Sequence, residues 1–317
     1  MVATLTAPLR RCLLLLVVSS PWIDGFVASP GPSFRRGGIF RRQPPTMCGN
    51  LQKSMLNPAG KETLAGDSRE STWSNPGGRD LVQISKNVWA AERPFIWNSI
   101  DVGGRMAVVK LSDGSLWVHS PVDLDGSLRE ALAKLGPVAH VVSPNYEHVK
   151  YAKQWMEAYP SAKSYACPGL QEREPEVKFT REVGASIEDE SPPEWGGEIQ
   201  ACFMDCETNP FTGKPFFNEV VFFHRPTKSL IASDLYWNYP QGDDIPFGTK
   251  AWKWGMDKVY LPFFKRFMVT DRDAFAAKVN QILSWGIETI VPCHGDVVKE
   301  GAPEALRETL LGRGPTE

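Results

Sequence analysis

The chain has 317 residues, of which 42% are hydrophobic and 23% are charged, a composition typical of a folded globular protein. With 35 basic and 37 acidic residues its formal net charge is −2, which provides no overall field that would attract nucleic acid. Its 6 cysteines are too few for a disulfide scaffold, and no apolar run reaches the roughly 18 residues that span a bilayer.

The amino-terminal end differs from the rest of the chain, because residues 1–50 carry six arginines and a single acid. Arg10 and Arg11 precede an apolar run over residues 12–18, which has the length of a signal-peptide core. An arginine-rich stretch that begins near Phe26 follows. This arrangement resembles the bipartite presequence of proteins sent to plastids, and a plain secretory signal is the alternative. We predict a presequence over residues 1–42 and a flexible linker over 43–80, which is rich in Gly, Pro, Ser and Asn.

From residue 81 onwards, strand-like and helix-like runs alternate, as periods of two and of three to four residues in the apolar positions indicate. The capping-box pattern Ser127-x-x-Glu130 predicts one helix start, and Thr270-x-x-Asp273 resembles another. Strands are predicted over 106–111, 115–119, 138–142, 163–166, 219–223, 230–233 and 289–292, and helices from 127, 149, 270 and 303. This order predicts an α/β layered body over residues 81–312.

Of the five histidines, two are candidate ligands because each directly follows a predicted buried strand: His148 and His294. Asp234 stands in the same situation after the strand over 230–233. Ligands bind at the carboxyl ends of strands in layered α/β proteins, so these side chains form a candidate metal constellation. Of the remaining three, His119 and His140 are interpreted as packing residues, and His224 is interpreted as exposed.

Three segments together resemble the metallo-β-lactamase superfamily. Val141–His148 has the position and spacing of its metal-binding loop, His-x-His-x-Asp-His. Leu230–Asp234 looks like the strand that delivers its metal-bridging aspartate, and Ile290–Asp296 looks like its last strand with the final His-Gly ligand. The resemblance covers roughly residues 81–312 and implies a metallo-β-lactamase-like fold, a four-layer αββα sandwich.

A narrower resemblance is to a branch of that superfamily of unknown function, found in photosynthetic organisms. Its members share an Asn-x-x-His loop, a Trp-Met-x-x-Tyr-Pro helix end, a Pro-Gly-Leu turn and a Glu-Val-Val-Phe-Phe-His strand. Those motifs appear here as Asn145–His148, Trp155–Pro160, Pro168–Leu170 and Glu219–His224.

The chain departs from the superfamily pattern in the loop. The family's first two histidines bind one metal and its Asp-His pair binds the second, whereas Ser143, Asn145, Glu147 and His148 stand here. Serine and asparagine are poor zinc ligands, and the family's middle histidine has no counterpart over 202–218, so the first site is expected to be lost. The remaining set matches the second site: Glu147, His148, Asp234 and His294.

The resemblance implies a metal-dependent hydrolase with a single-metal site and a small-molecule substrate. The four residues of the second site would hold one divalent metal, zinc first and iron or manganese as alternatives. Asp234 would orient the attacking water, and Asn145 or Tyr146 would donate to the developing oxyanion. Two alternatives stay open: a non-catalytic scaffold that binds an unknown protein partner and no metal, and an iron-dependent oxidoreductase on the same fold.

Three further features have two interpretations each. The aromatic-rich stretch over 236–267, with Lys and Arg interleaved, is interpreted as packing or a lid, and alternatively as a substrate mouth or a surface that binds bases. Cys293 is either a nucleophile beside His294 or a buried core cysteine. Glu219 is either a further ligand or a solvated strand end.

Overall fold

The computed structural model describes residues 63–64, 72–75, 78, 81–97, 99–186 and 191–312. The predicted presequence over 1–42 and most of the predicted linker over 43–80 lie outside these residues. Within the part of the chain that the structure describes, no helix has the length and apolarity needed to cross a membrane.

The described residues form fourteen strands, which we number β1 to β14 in chain order. The strands are Thr63–Leu64, Leu81–Ser85, Val88–Arg93, Ile96–Trp97, Ile100–Asp101, Gly104–Lys110, Leu116–His119, Val138–Ser143, Lys163–Ala166, Arg181–Glu182, Ile199–Phe203, Val220–His224, Ser229–Ala232 and Thr289–Pro292.

The α-helices of the same residues are numbered α1 to α7. They are Gly126–Leu135, Ala152–Ala158, Leu170–Arg173, Phe247–Gly255, Leu261–Phe263, Arg272–Ser284 and Ala302–Leu310. Short 3₁₀ turns occupy Pro193–Trp195 and Arg225–Thr227, and π-helical turns occupy Met256–Tyr260 and Phe264–Met268.

The strands form two main sheets. The larger has eight strands in the order β1-β2-β3-β6-β7-β8-β9-β10, and the smaller has four in the order β11-β12-β13-β14. Strands β7 to β10 run parallel to one another, as do β13 and β14. The carboxyl ends of parallel neighbours lie at one edge of a sheet, so the residues that follow them are brought together there.

Apolar side chains pack in three layers, which confirms the αββα sandwich. Between the two sheets lie Trp117, Trp195, Phe222, Ile231 and Val291. The outer face of the larger sheet is covered by α1 and α2, through Leu128, Leu132 and Trp155. The outer face of the smaller sheet is covered by α6 and α7, through Phe275, Val279, Ile282, Leu306 and Leu310. Each sheet therefore buries both faces, as strands with continuous apolar runs require.

Two predicted helix starts shift because an aspartate provides the cap. The capping-box prediction at Ser127 is wrong: Asp125 is the N-cap of α1, and its Oδ1 accepts from the Leu128 backbone N–H at 2.8 Å. In the same way Asp271 caps α6 by accepting from the Ala274 N–H at 2.9 Å. An aspartate oxygen satisfies the free amides of a first turn as well as a serine does.

His224 is fully buried, so the expectation that it is exposed is wrong. It ends β12 and pairs with both neighbouring strands, opposite Ile199 and Ser229. Its Nδ1 lies 2.7 Å from Thr227 Oγ1, and its Nε2 lies 3.9 Å from Glu198 Oε2. Burial lowers the pKa of His224 to about 4, against the opposing effect of Glu198.

This burial predicts a loss of stability in mild acid. Between pH 6.5, the ordinary pKa of histidine, and about 4 the unfolded chain binds a proton at residue 224 that the folded chain does not. Folding is therefore opposed as the pH falls, by about 2 kcal/mol on moving from near neutrality to about pH 5. Urea unfolding at the two pH values measures this loss in the free energy of unfolding. In His224→Gln the loss should be smaller than in the wild type by about the same amount. An equal loss in both proteins would show that His224 is not the cause.

Candidate metal centre

Three strand ends converge at one edge of the sandwich. The loop after β8 carries His148, Asp234 stands two residues after β13, and His294 stands two residues after β14. Their ligand atoms, one from each side chain, all lie within 4.8 Å of one another. The structure therefore brings together three of the four predicted metal ligands, from positions 146 residues apart in the chain at the extremes.

The Asp234 carboxylate lies between the two imidazoles. Its Oδ2 is 3.3 Å from His148 Nε2, and its Oδ1 is 3.5 Å from His294 Nε2. The two rings are 5.3 Å apart between centroids, at an interplanar angle of 65°. Both imidazoles thus present the same nitrogen, Nε2, to the same carboxylate.

The opposite nitrogen of each imidazole is held by a neighbouring group. His294 Nδ1 lies 2.7 Å from the Gly103 carbonyl oxygen, so its N–H donates there and leaves Nε2 with a lone pair. His148 Nδ1 lies 2.5 Å from Ser120 Oγ. Such partners fix the tautomer and the orientation of a metal-binding histidine.

Gly295 explains the His-Gly pair at the end of β14. Its φ is 85°, and a Cβ at this position would lie 2.1 Å from the Asn238 carbonyl oxygen. The Asn238 N–H in turn donates to the His294 carbonyl at 3.0 Å. Only glycine permits this close approach, which fixes the backbone that carries His294.

Asn145 connects the loop to Asp234. Its fully buried amide donates to Asp234 Oδ2 at 2.7 Å, while its Oδ1 accepts from the Glu147 and His148 backbone N–H groups at 3.0 and 2.8 Å. Both ends of the amide are therefore engaged in holding ligands. Asn145 therefore links the Asp234 carboxylate to the loop backbone and positions both.

Glu219 lies behind the same aspartate and is not a solvated strand end. It is 2% exposed, and it accepts the backbone N–H groups of Ser233, Asp234 and Leu235 at 2.7 to 2.8 Å. Burial and the neighbouring Asp234 raise the pKa of Glu219, against the opposing effect of the Ser233 N–H. This carboxylate fixes the turn that delivers Asp234.

Glu147 and Tyr146 occupy different surroundings. Glu147 lines the cavity beside His148, and its Oε1 is buried with no hydrogen-bond partner among the described residues. Burial and then Asp234 raise the pKa of Glu147. The Tyr146 hydroxyl donates instead to the Pro168 carbonyl at 3.3 Å, and Arg173 lies 4.5 Å from its ring centroid. Glu147 thus lines the cavity beside His148 but is the one predicted ligand outside the cluster of His148, Asp234 and His294, and Tyr146 contacts the turn before α3.

Charge in the centre is distributed as in an ion pair. Burial alone would lower the pKa of His148, but Asp234 raises it well above its usual value. Burial alone would raise the pKa of Asp234, but His148, followed by His294, holds it well below its usual range. Without a metal the pair therefore holds a proton on His148 beside the anionic Asp234, and a cation bound at His148 Nε2 would take the place of that proton.

A large cavity opens on the centre, and His148, Asp234 and His294 are in its wall. It has a volume of about 1150 Å³ including its mouth, and nine of its 21 lining residues are aromatic. Tyr239 stacks on His294 with ring centroids 6.3 Å apart, and its hydroxyl accepts from Trp252 Nε1 at 2.9 Å. An apolar cleft with a few convergent polar groups is typical of a small-molecule site.

Cys293 is a buried core residue, 3% exposed. Its Sγ lies 3.6 Å from Ser233 Oγ and 3.9 Å from His119 Nδ1. Although burial would raise the pKa of this thiol, the charge of His148 lowers it well below its usual value. Cys293 is also among the residues that line a second and smaller cavity.

Ser120 and Gly103 were not identified from the sequence as parts of the site. Ser120 does carry a signal, since it is a polar residue directly after strand β7 with a positive φ of 52°. Gly103 contributes only a backbone carbonyl, and a backbone group leaves no trace in the identity of the residue.

Comparison with known proteins gives one family match. The profile of the family described as a domain of unknown function, DUF4336, matches residues 85–243, half of the chain. These residues include the loop with His148, Glu219 and Asp234. No curated protein sequence matches the chain.

Solved structures with a similar fold are metallo-β-lactamases. DIM-1 metallo-β-lactamase exposed to ceftazidime is 15% identical with a TM-score of 0.50, over 73% of this chain and 94% of that one. VMB-1 at pH 5.5 is 11% identical with a TM-score of 0.50, over the same shares. FIM-1 from Pseudomonas aeruginosa, in the mono-zinc form, is 13% identical with a TM-score of 0.48, over 73% and 93%. At these identities the first two show a shared fold.

Proposed function

The chain belongs to the DUF4336 family of domains of unknown function and has a metallo-β-lactamase fold, and on this basis we propose that it is a metal-dependent hydrolase with a single-metal site. One observation carries the proposal: two imidazole Nε2 atoms and both oxygens of one carboxylate converge at the wall of a large cavity. Catalysis and the number of metals are proposals that rest on this geometry.

The side chains present fit a divalent metal. His148, Asp234 and His294 would hold it, and this donor set suits zinc, iron or manganese. Glu147 is the proposed fourth ligand, although its carboxylate lies outside the cluster of three, because the residue lines the same cavity and its buried Oε1 lacks a partner among the described residues. A buried carboxylate oxygen without a partner is costly, and a cation would remove that cost.

Asn145 supports one metal in preference to two. In the superfamily pattern a histidine stands at this position and holds the first metal, whereas here the amide N–H lies 2.7 Å from Asp234 Oδ2. A hydrogen-bond donor therefore occupies one side of the aspartate that would otherwise face a second cation. Two cations on Asp234 would have to displace this bond.

A bound metal would supply a Lewis acid that polarises a carbonyl or phosphoryl oxygen and lowers the pKa of water. The residues of the chain supply the rest. Asp234 would accept a hydrogen bond from the attacking water and so orient it, and Asn145 and Glu219 keep Asp234 in place through its carboxylate and its backbone N–H. The aromatic walls bind the apolar part of the substrate and exclude bulk water. We propose a positioning role for Asn145 and none for Tyr146, whose hydroxyl is bonded to Pro168.

A substrate panel tests the proposal. The purified full chain, loaded with zinc, iron or manganese in turn, is assayed with a chromogenic aryl ester, a lactone, a β-lactam and a phosphodiester. We expect metal-dependent turnover of at least one, lost on chelation and in Asp234→Asn. No turnover of any of the four substrates with any of the three metals would favour the scaffold alternative.

We propose a plastid destination from residues 1–42 alone, through their bipartite pattern of an apolar run and an arginine-rich stretch. A fluorescent protein fused after residue 42 tests it in an alga whose plastid is bounded by extra membranes. Plastid fluorescence is expected, and fluorescence in the medium would instead support the secretory alternative.

A further inference from the structure

The helical segment over residues 247–268 has two contrasting sides. It consists of α4, the π-helical turn Met256–Tyr260, α5 and the π-helical turn Phe264–Met268, without a break in helical backbone. Thr249, Met256, Tyr260, Phe264 and Met268 are buried on one side. Trp252, Met256 and Tyr260 also line the large cavity. One side of the segment is thus part of the core and of the cavity wall.

The other side carries exposed aromatic and basic residues at helical spacing. Phe247, Lys250, Trp254, Lys258 and Arg266 recur at intervals of three, four or eight residues, and Phe267 adjoins the last of them. The aromatic members are unusually exposed, Phe247 at 85%, Trp254 at 55% and Phe267 at 55%. We call these six residues the exposed stripe.

The stripe is positively charged although the chain as a whole is not. Residues 247–268 contain five basic residues and one acid, whereas the formal net charge of the chain is −2. The single acid, Asp257, is paired with Lys253 at 2.7 Å, outside the stripe. Among the residues that the structure describes, no carboxylate forms an ion pair with Lys250, Lys258 or Arg266.

The aromatic patch continues beyond the segment. Phe211, which is 70% exposed, stacks on Phe263 with ring centroids 6.4 Å apart, and Phe263 lies 5.2 Å from Phe267. Large exposed apolar patches mark interaction sites. Aromatic rings that alternate with lysine and arginine on one helix side are typical of helices that lie in the membrane interface, where the rings enter the headgroup region and the cations meet lipid phosphates.

We propose that the exposed stripe docks this protein on an anionic lipid surface. Charge complementarity carries the choice of partner, because unpaired cations between the rings match a surface of phosphates and anionic headgroups. The segment also separates this surface from the cavity, so docking would place the cavity wall one helix diameter from the lipid. The inference is independent of metal binding and of catalysis.

Flotation with lipid vesicles tests the proposal on the full chain. We expect binding to vesicles of an equal mixture of phosphatidylcholine and phosphatidylglycerol, weaker binding to phosphatidylcholine alone, and release by high salt. The triple variant Lys250→Glu, Lys258→Glu, Arg266→Glu should bind the mixed vesicles more than about tenfold less tightly. The variant Phe247→Ser, Trp254→Ser should weaken binding while leaving all the charges in place.

The matched control is Lys86→Glu, Lys134→Glu, Arg307→Glu, which changes the net charge equally at exposed positions in a turn and on α1 and α7. This control variant should bind lipid as the wild type does. The apolar run over 12–18 is present in all variants, so it does not contribute to the difference between them. Equal binding of the stripe and control variants, both folded by circular dichroism, would overturn the proposal. So would a dimer that the stripe variant dissociates, since the stripe would then be an interface between copies of the chain.

Discussion

Replacing His148 by alanine should lower the affinity for zinc by more than about 100-fold, which is the upper range for residues that only support a ligand. His148 contributes one of two imidazole nitrogens, and its loss would leave Asp234 and His294 with an incomplete set. Ser120→Ala removes only the hydrogen bond to His148 Nδ1, so a loss of about 10- to 100-fold is expected. Competition with a chromogenic chelator measures both affinities.

The control in this series is His140→Gln. His140 is also buried, but its Nδ1 bonds the Tyr165 hydroxyl at 3.0 Å, away from the centre. Zinc affinity should therefore be unchanged in this variant. If His148→Ala and His140→Gln bind zinc equally, the cluster of His148, Asp234 and His294 is not the metal site.

Replacing Glu219 by alanine should lower the free energy of unfolding by about 3–5 kcal/mol, the largest stability effect expected among these variants. Its carboxylate accepts three consecutive backbone N–H groups in a buried turn, and alanine would leave all three without a partner. The same change should weaken metal binding, because the turn carries Asp234. Denaturant unfolding of the metal-free protein separates the two effects.

Glu207→Ala is the matched comparison. Glu207 is also a buried carboxylate, but its Oε1 accepts two backbone N–H groups, of Phe216 and Asn218, at 3.0 and 2.9 Å. It should lose stability without loss of zinc affinity. A loss of under about 1 kcal/mol in Glu219→Ala would mean that the turn is held by other contacts.

The fold was predictable because its core strands are short apolar runs bounded by turn residues. The strand predicted over 289–292 is observed at Thr289–Pro292, and that over 163–166 at Lys163–Ala166. The predicted helix over 149–158 instead begins at Ala152, because turns occupy the three residues before it. Caps and end residues depend on which side chain reaches a free amide, and spacing alone does not determine that.

The candidate ligands were predictable for a related reason, since polar residues directly after buried strands have no packing role to explain them. The direction in which each side chain points was not predictable from the sequence. Asn145 was assigned to an oxyanion, whereas its amide bonds Asp234. His224 was expected to be exposed, whereas it pairs in the middle of a sheet. The aromatic stretch was interpreted as packing or a lid, or as a substrate mouth, whereas its helix also has an exposed side that carries aromatic residues.

Metal content of the purified full chain is the most direct test of the proposed site. After the protein is loaded with zinc and the excess is removed by dialysis, inductively coupled plasma mass spectrometry should find one zinc per wild-type chain and almost none in His294→Ala. Two zinc ions per chain would contradict the single-metal arrangement around Asn145. No zinc in the wild type, or as much in His294→Ala as in the wild type, would contradict the metal centre itself.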